Sequence, residues 1–163
     1  MSNLLELSEQ LVKALKEQKL FITTVESCTG GGVANCITNI SGASEVMFDS
    51  SITYSNEAKI ALGVPKKIIE EFTVYSMETA IAMARAGIQY SSKADIGVGV
   101  TGSLSRLDPT NASSTLGIVY IAVVSGDIVL RERFEILDAS ERWEDKDKVI
   151  KKTLEMIIEI VSD

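Results

Sequence analysis

Histidine is absent from the 163 residues. Without imidazole there is no Ser–His–Asp or Cys–His pair, no His-containing zinc site, and no side chain with an unshifted pKa near neutrality. Cysteine is scarce. Cys28 and Cys36 cannot build a four-thiolate site, so no metal is expected. The first ten residues, MSNLLELSEQ, carry acids where a signal peptide would be basic, so reduced thiols and a cytoplasmic location are expected. No apolar run is long enough to span a bilayer, so no membrane partner is expected. Positive charge is in the minority, with 16 basic residues against 23 acidic ones and a net charge of −7. A general nucleic-acid binder rests on basic phosphate contacts and is excluded on that ground. One small phosphorylated ligand held by local donors stays compatible.

The composition is globular, with 45% apolar and 24% charged residues. A chain of this length can bury a core without staples, and residues 1–163 read as a single domain. Leu4 to Leu15 follow helical spacing. Phe21 to Val25 read as a buried strand that runs into a small polar loop, and Val33 to Ile40 as a helix. Val46 to Tyr54 are rich in β-branched and aromatic residues and predict a second strand. Asn56 to Leu62 and Lys66 to Phe72 predict short helices, the first closed by Gly63. Ser76 can cap a helix from Met77 to about Tyr90, whose small residues permit close packing on a sheet. Ile96 to Val100 predict a strand, and Ser103 to Thr115 a long loop. Gly117 to Val124 and Ile128 to Phe134 predict a hairpin around Ser125-Gly126-Asp127. A last helix starts near Ser140. This order implies an α/β fold with a mixed sheet.

Three segments can carry chemistry. In Glu26-Ser27-Cys28-Thr29-Gly30-Gly31 the glycines let a ligand approach the backbone at a helix start; the bland alternative is a tight turn with Ser or Thr capping the helix. Backbone amides of Thr29 to Gly31 and of Thr101-Gly102, each after a strand, are candidate phosphate donors. In Tyr54-Ser55-Asn56-Glu57-Ala58-Lys59, Tyr54 and Lys59 can meet. With no histidine, a lysine of lowered pKa is the natural activator of a serine, although an isolated lysine is normally solvated. In Ser41-Gly42-Ala43-Ser44, a serine is usually a local cap, and it gains interest only within reach of Lys59 or Tyr54. Cys28 is the rival nucleophile, because a helix start lowers a thiol pKa; its other reading is a small core side chain.

Glu26 to Gly31, Ile40-Ser41-Gly42, Thr53 to Lys59, Leu62 to Pro65, Val74-Tyr75-Ser76 and Val100-Thr101-Gly102 together resemble the CinA C-terminal domain family. The resemblance implies a three-layer α/β/α sandwich with a mixed central sheet, no cofactor, and a homodimer. It implies hydrolysis of the carboxamide of nicotinamide mononucleotide to nicotinate mononucleotide and ammonia. On the family pattern Ser44 is the nucleophile, activated by Tyr54 and Lys59. Ser27, Cys28, Thr29, Gly30, Gly31, Thr101 and Gly102 then hold the nucleotide. The chain departs from the family after Thr101-Gly102, where a Gly-rich stretch is replaced by Ser103-Leu104-Ser105-Arg106-Leu107-Asp108-Pro109. Arg106 is the expected substitute contact. The alternative function is a non-catalytic nucleotide-binding or regulatory module of the same fold.

Overall fold

The computed structural model describes residues 2–162, so the outermost positions of the predicted 1–163 unit lie outside the described residues. The elements run α1 (Ser2–Gln18), β1 (Ile22–Glu26), α2 (Gly32–Thr38), a 3-10 turn (Ala43–Glu45), β2 (Ser51–Ile52), α3 (Asn56–Leu62), α4 (Lys66–Phe72), α5 (Met77–Tyr90), β3 (Ile96–Ser103), β4 (Ile118–Ser125), β5 (Ile128–Glu135) and α6 (Arg142–Ser162). The sheet order is β2-β1-β3-β4-β5. Its first three strands are parallel, and β4 and β5 add an antiparallel pair. The mixed α/β sheet expected from the sequence is therefore present, with helices on both faces.

Burial explains the layering. Both faces of the parallel strands are covered, so β1 is buried at all five positions. On one face Leu11 and Leu15 of α1, Val33 and Ile37 of α2, and Leu154 and Ile157 of α6 pack on Ile22, Val98 and Ile121. On the other, Met83 and Ala86 of α5 join Val64, Ile69 and Val74 around Val25. The helix α5 lies close on β3 because Gly97 and Gly99 present no side chain there; a Cβ at either would strike the backbone carbonyls of Ala84 and Ala80.

Two predicted boundaries shift. The strand expected over Val46 to Tyr54 shrinks to Ser51–Ile52, with one isolated bridge from Met47 to Ile22. Side chains replace the missing ladder: Thr23 Oγ1 donates to the Asp49 carbonyl at 3.1 Å, and Ser50 Oγ donates to the Thr24 carbonyl at 2.9 Å. In contrast, β3 runs three residues further than predicted. Thr101 and Gly102 lie inside it, paired with Tyr120 and Val119, rather than in a loop after it.

Candidate active site

Parallel neighbours end on the same side of a sheet, so the residues following β1, β2 and β3 converge. They border a cleft of about 530 Å³ lined by Ser27, Cys28, Tyr54, Lys59, Tyr75, Thr101, Gly102, Arg106, Asp108 and Arg142, among others. Such a crevice beyond the carboxyl ends of the strands is the usual ligand position in open α/β sheets.

The turn after β1 is organised by a buried carboxylate. Glu26 has no exposed surface. It accepts hydrogen bonds from Thr24 Oγ1 (3.1 Å), Thr29 Oγ1 (2.6 Å), and the N–H groups of Val33 (3.0 Å) and Ala34 (2.9 Å). The first amides of α2 are therefore already taken by an acceptor that the chain itself supplies. Gly31, the residue before the helix, is left-handed at φ 90° and supplies no side-chain cap. This corrects the expected roles of Thr29, Gly30 and Gly31. Thr29 is turned inward onto Glu26, and the Gly30 N–H is spent on the Ser27 carbonyl at 2.9 Å. None of the three lines the cleft.

Lys59 enters from α3, where Ser55 caps the helix by accepting from the Ala58 N–H at 3.0 Å. Its side chain turns inward, leaving the residue 2% exposed. The amine donates to the Thr53 carbonyl at 2.7 Å and to Ser27 Oγ at 3.3 Å. Burial pushes its pKa down from 10.5 to about 8. A buried amine of lowered pKa against a hydroxyl at the mouth of a cleft can remove that hydroxyl's proton.

The expected Ser44–Tyr54–Lys59 constellation does not assemble. Ser44 is exposed on the 3-10 turn, where its neighbour Glu45 pairs with Lys16 of α1 at 3.0 Å. That turn leads into Val46, whose carbonyl accepts from the N–H of Ile22 at the opening of β1. Ser27 follows the far end of the same strand. At about 3.3 Å per residue, β1 holds the two serines roughly 15 Å apart. Tyr54 does border the cleft, but it is 64% exposed, and its hydroxyl accepts from Arg142 Nη2 at 3.1 Å rather than contacting the amine. Cys28 also borders the cleft. Burial, and then the charge of Glu26, push its thiol up to about 12, which leaves it a poor nucleophile near neutrality.

The rim is basic. Arg142, at the start of α6, spans the mouth with one nitrogen on Tyr54 and the other on Ser105 Oγ at 3.1 Å. Arg106 borders the same cleft. Thr101 is buried, and its hydroxyl donates to the Val74 carbonyl at 2.7 Å. Gly102 borders the cleft, with its Cα turned toward the backbone of β4. Within the same lining, Tyr75 OH donates to Asp108 Oδ2 at 2.9 Å. Among the described residues, no group of three or more His, Cys, Asp or Glu side chains gathers as a metal site. No helix there is long and apolar enough to cross a membrane. The pairing of Ser27 with Lys59 was missed in the sequence, yet a signal existed. Both follow neighbouring parallel strands, Ser27 directly and Lys59 one helical turn later, and parallel strands bring such segments together.

The mixed sheet, with a serine–lysine pair at the ends of its parallel strands, defines an α/β domain with a cleft at the sheet's carboxyl edge. The family profile of the CinA C-terminal domain matches residues 4–161, and the chain belongs to that family. A CinA-like protein of Kosmotoga olearia is 42% identical over 128 residues, covering 77% of this chain and 31% of that protein. A CinA-like protein of Flavobacterium psychrophilum is 34% identical over 152 residues, covering 93% of this chain and 34% of that protein. The chain thus spans about a third of the length of these curated relatives. Among solved structures, the competence/damage inducible protein CihA from Agrobacterium tumefaciens superposes with a TM-score of 0.87 at 30% identity, covering 99% of this chain and 96% of that one.

Proposed function

We propose that the chain is an amidohydrolase that converts nicotinamide mononucleotide to nicotinate mononucleotide and ammonia, with Ser27 as nucleophile and Lys59 as its base. The observation that carries this reading is the buried, depressed amine of Lys59 at 3.3 Å from Ser27 Oγ. The substrate comes from the family resemblance, and the arginines at the mouth supply the charge its phosphate needs.

In the proposed cycle, neutral Lys59 takes the proton of Ser27 as Oγ bonds to the carboxamide carbon. The charged amine then returns that proton to the departing nitrogen, which leaves as ammonia and gives a seryl ester. Water attacks the ester carbon, its proton passes to Lys59, and the acyl–oxygen bond breaks with Ser27 Oγ regaining a proton. The net change is one water consumed for one amide cleaved. The Thr53 carbonyl, 2.7 Å from the amine, keeps Nζ aimed at Oγ in both charge states. No cofactor is needed for these steps. Homodimer formation and a cytoplasmic location remain part of the proposal on the strength of the resemblance.

The test follows ammonia release from nicotinamide mononucleotide. Ser27→Ala should lower turnover by at least about 10³-fold while the ligand still binds. Activity retained in that variant overturns the assignment. Binding without turnover in the parent protein would favour the non-catalytic nucleotide-binding module, a reading to which the rebuilt loop after β3 lends itself.

A further inference from the structure

The proposed reaction uses the cations around the cleft but not its carboxylate. Lys59, Arg106 and Arg142 bring three cations to its lining. Asp108 is the only carboxylate among the described residues that line it, since Glu26 is sealed behind the turn. Asp108 lies in the loop that follows β3. It is also firmly placed. Its Oδ1 accepts from the Thr110 N–H (2.9 Å) and Thr110 Oγ1 (2.7 Å), its own N–H donates to Ser114 Oγ at 3.0 Å, and Oδ2 takes the Tyr75 hydroxyl. Those hydrogen bonds, Thr110's foremost, hold the carboxyl below its usual range, so it is ionised at neutral pH.

A lone fixed carboxylate in a positive cleft suits a ligand that is itself mixed in charge. Phosphate belongs with the arginines. A cationic ring near Ser27 would meet repulsion from Arg142 unless an anion stood close by. Tyr54 and Tyr75 border the same space, and an aromatic ring beside a bound cation would favour it further. Resting on the proposed function, we propose that Asp108, braced by Tyr75, selects a ligand whose ring carries a permanent positive charge, and so distinguishes oxidised pyridinium nucleotides from their reduced, uncharged dihydropyridine forms.

The two forms of nicotinamide mononucleotide share carboxamide, ribose and phosphate, and differ in ring charge. Calorimetric titration of both into the Ser27→Ala protein, which removes turnover from the comparison, should show the oxidised form binding about tenfold more tightly. Adding Asp108→Asn should erase that preference by weakening the oxidised form alone. Tyr75→Phe, which removes the brace and keeps the carboxylate, should narrow the preference without erasing it, and so also serves if the Asn variant does not fold. An equal loss for both ligands would make Asp108 a mere brace for Tyr75 and overturn the inference, as would a preference unchanged in Asp108→Asn or lost in Tyr75→Phe. Absence of ammonia release by the parent protein would remove the amidohydrolase reading alone, because the titration reads ring charge without turnover.

Discussion

Ser27 and Ser44 sit in turns of similar composition, each beside glycine and small residues, at opposite ends of β1. The turn around Ser44 is a surface corner. Its polar neighbour Glu45 reaches outward to Lys16, and such a half-exposed ion pair contributes little. The turn around Ser27 is built inward, with a buried carboxylate on one side and a buried amine on the other. A hydroxyl becomes a candidate nucleophile through what the rest of the chain brings to it, not through the residues on either side.

The comparison can be broken most directly by exchanging the two losses. Ser27→Ala should remove at least about 10³-fold of the turnover, whereas Ser44→Ala should leave it within about twofold. Comparable losses in both would mean that the two ends of β1 are not as different as their surroundings.

Lys59→Met sharpens the same contrast and separates chemistry from folding. Removing the base should cost about 10²–10⁴-fold in kcat. The folded protein should nevertheless gain stability near neutral pH. Its Lys59 pKa of about 8 lies below the ordinary 10.5 of the unfolded chain, so burying the charged amine is unfavourable below pH 8. As pH rises from about 8 toward 10.5 the folded state gives up that proton first, and the penalty fades. Thermal melts should show the Met variant ahead by about 1–3 kcal/mol at pH 7, with the advantage shrinking toward pH 10.5. A variant less stable at pH 7 would contradict the depressed amine.

The parent protein's pH–rate profile offers a milder probe of the proposed reaction. With Lys59 acting as base, kcat/KM should climb through about pH 8 and then level off. Ser44→Ala should trace the same curve. A profile flat between pH 6.5 and 9 would detach Lys59 from the proton transfer. The smallest effect expected is that of Cys28→Ala, whose thiol is held protonated; it should alter packing beside the nucleophile while keeping the curve's shape.

Much of the fold could be read locally. The helices α3, α4 and α5 begin and end where the sequence predicts; Ser55 and Gly63 cap the two ends of α3, and Ser76 caps the start of α5. The strand predicted over Val46 to Tyr54 failed for a nonlocal reason. The hydroxyls of Thr23 and Ser50 make cross-chain hydrogen bonds that a pattern of β-branched residues cannot reveal. The candidate site was half legible. Lys59, Tyr54, Ser27, Cys28 and Arg106, all singled out in the sequence, border one cleft. Choosing between Ser27 and Ser44 required knowing which end of β1 faces α3, and that is fixed by the parallel pairing of β1 with β2. The capping role of Glu26 was equally hidden, since it joins a strand residue to amides seven and eight positions later.

The buried carboxylate of Glu26 also has a consequence for how the molecule meets its solution. Ions in the medium screen charges that water can reach, over about 8 Å at physiological strength, and leave an interior ion paired with fixed amides almost untouched. The turn that carries Ser27 is anchored by hydrogen bonds to the sealed Glu26 carboxyl, beyond the reach of the medium, whereas Arg142 reaches across the mouth to exposed partners. Raising the salt should thus loosen the hold on an anionic ligand while the geometry at Ser27 stays as it is. On the proposed reading, depth insulates the step at Ser27 from the capture of its ligand.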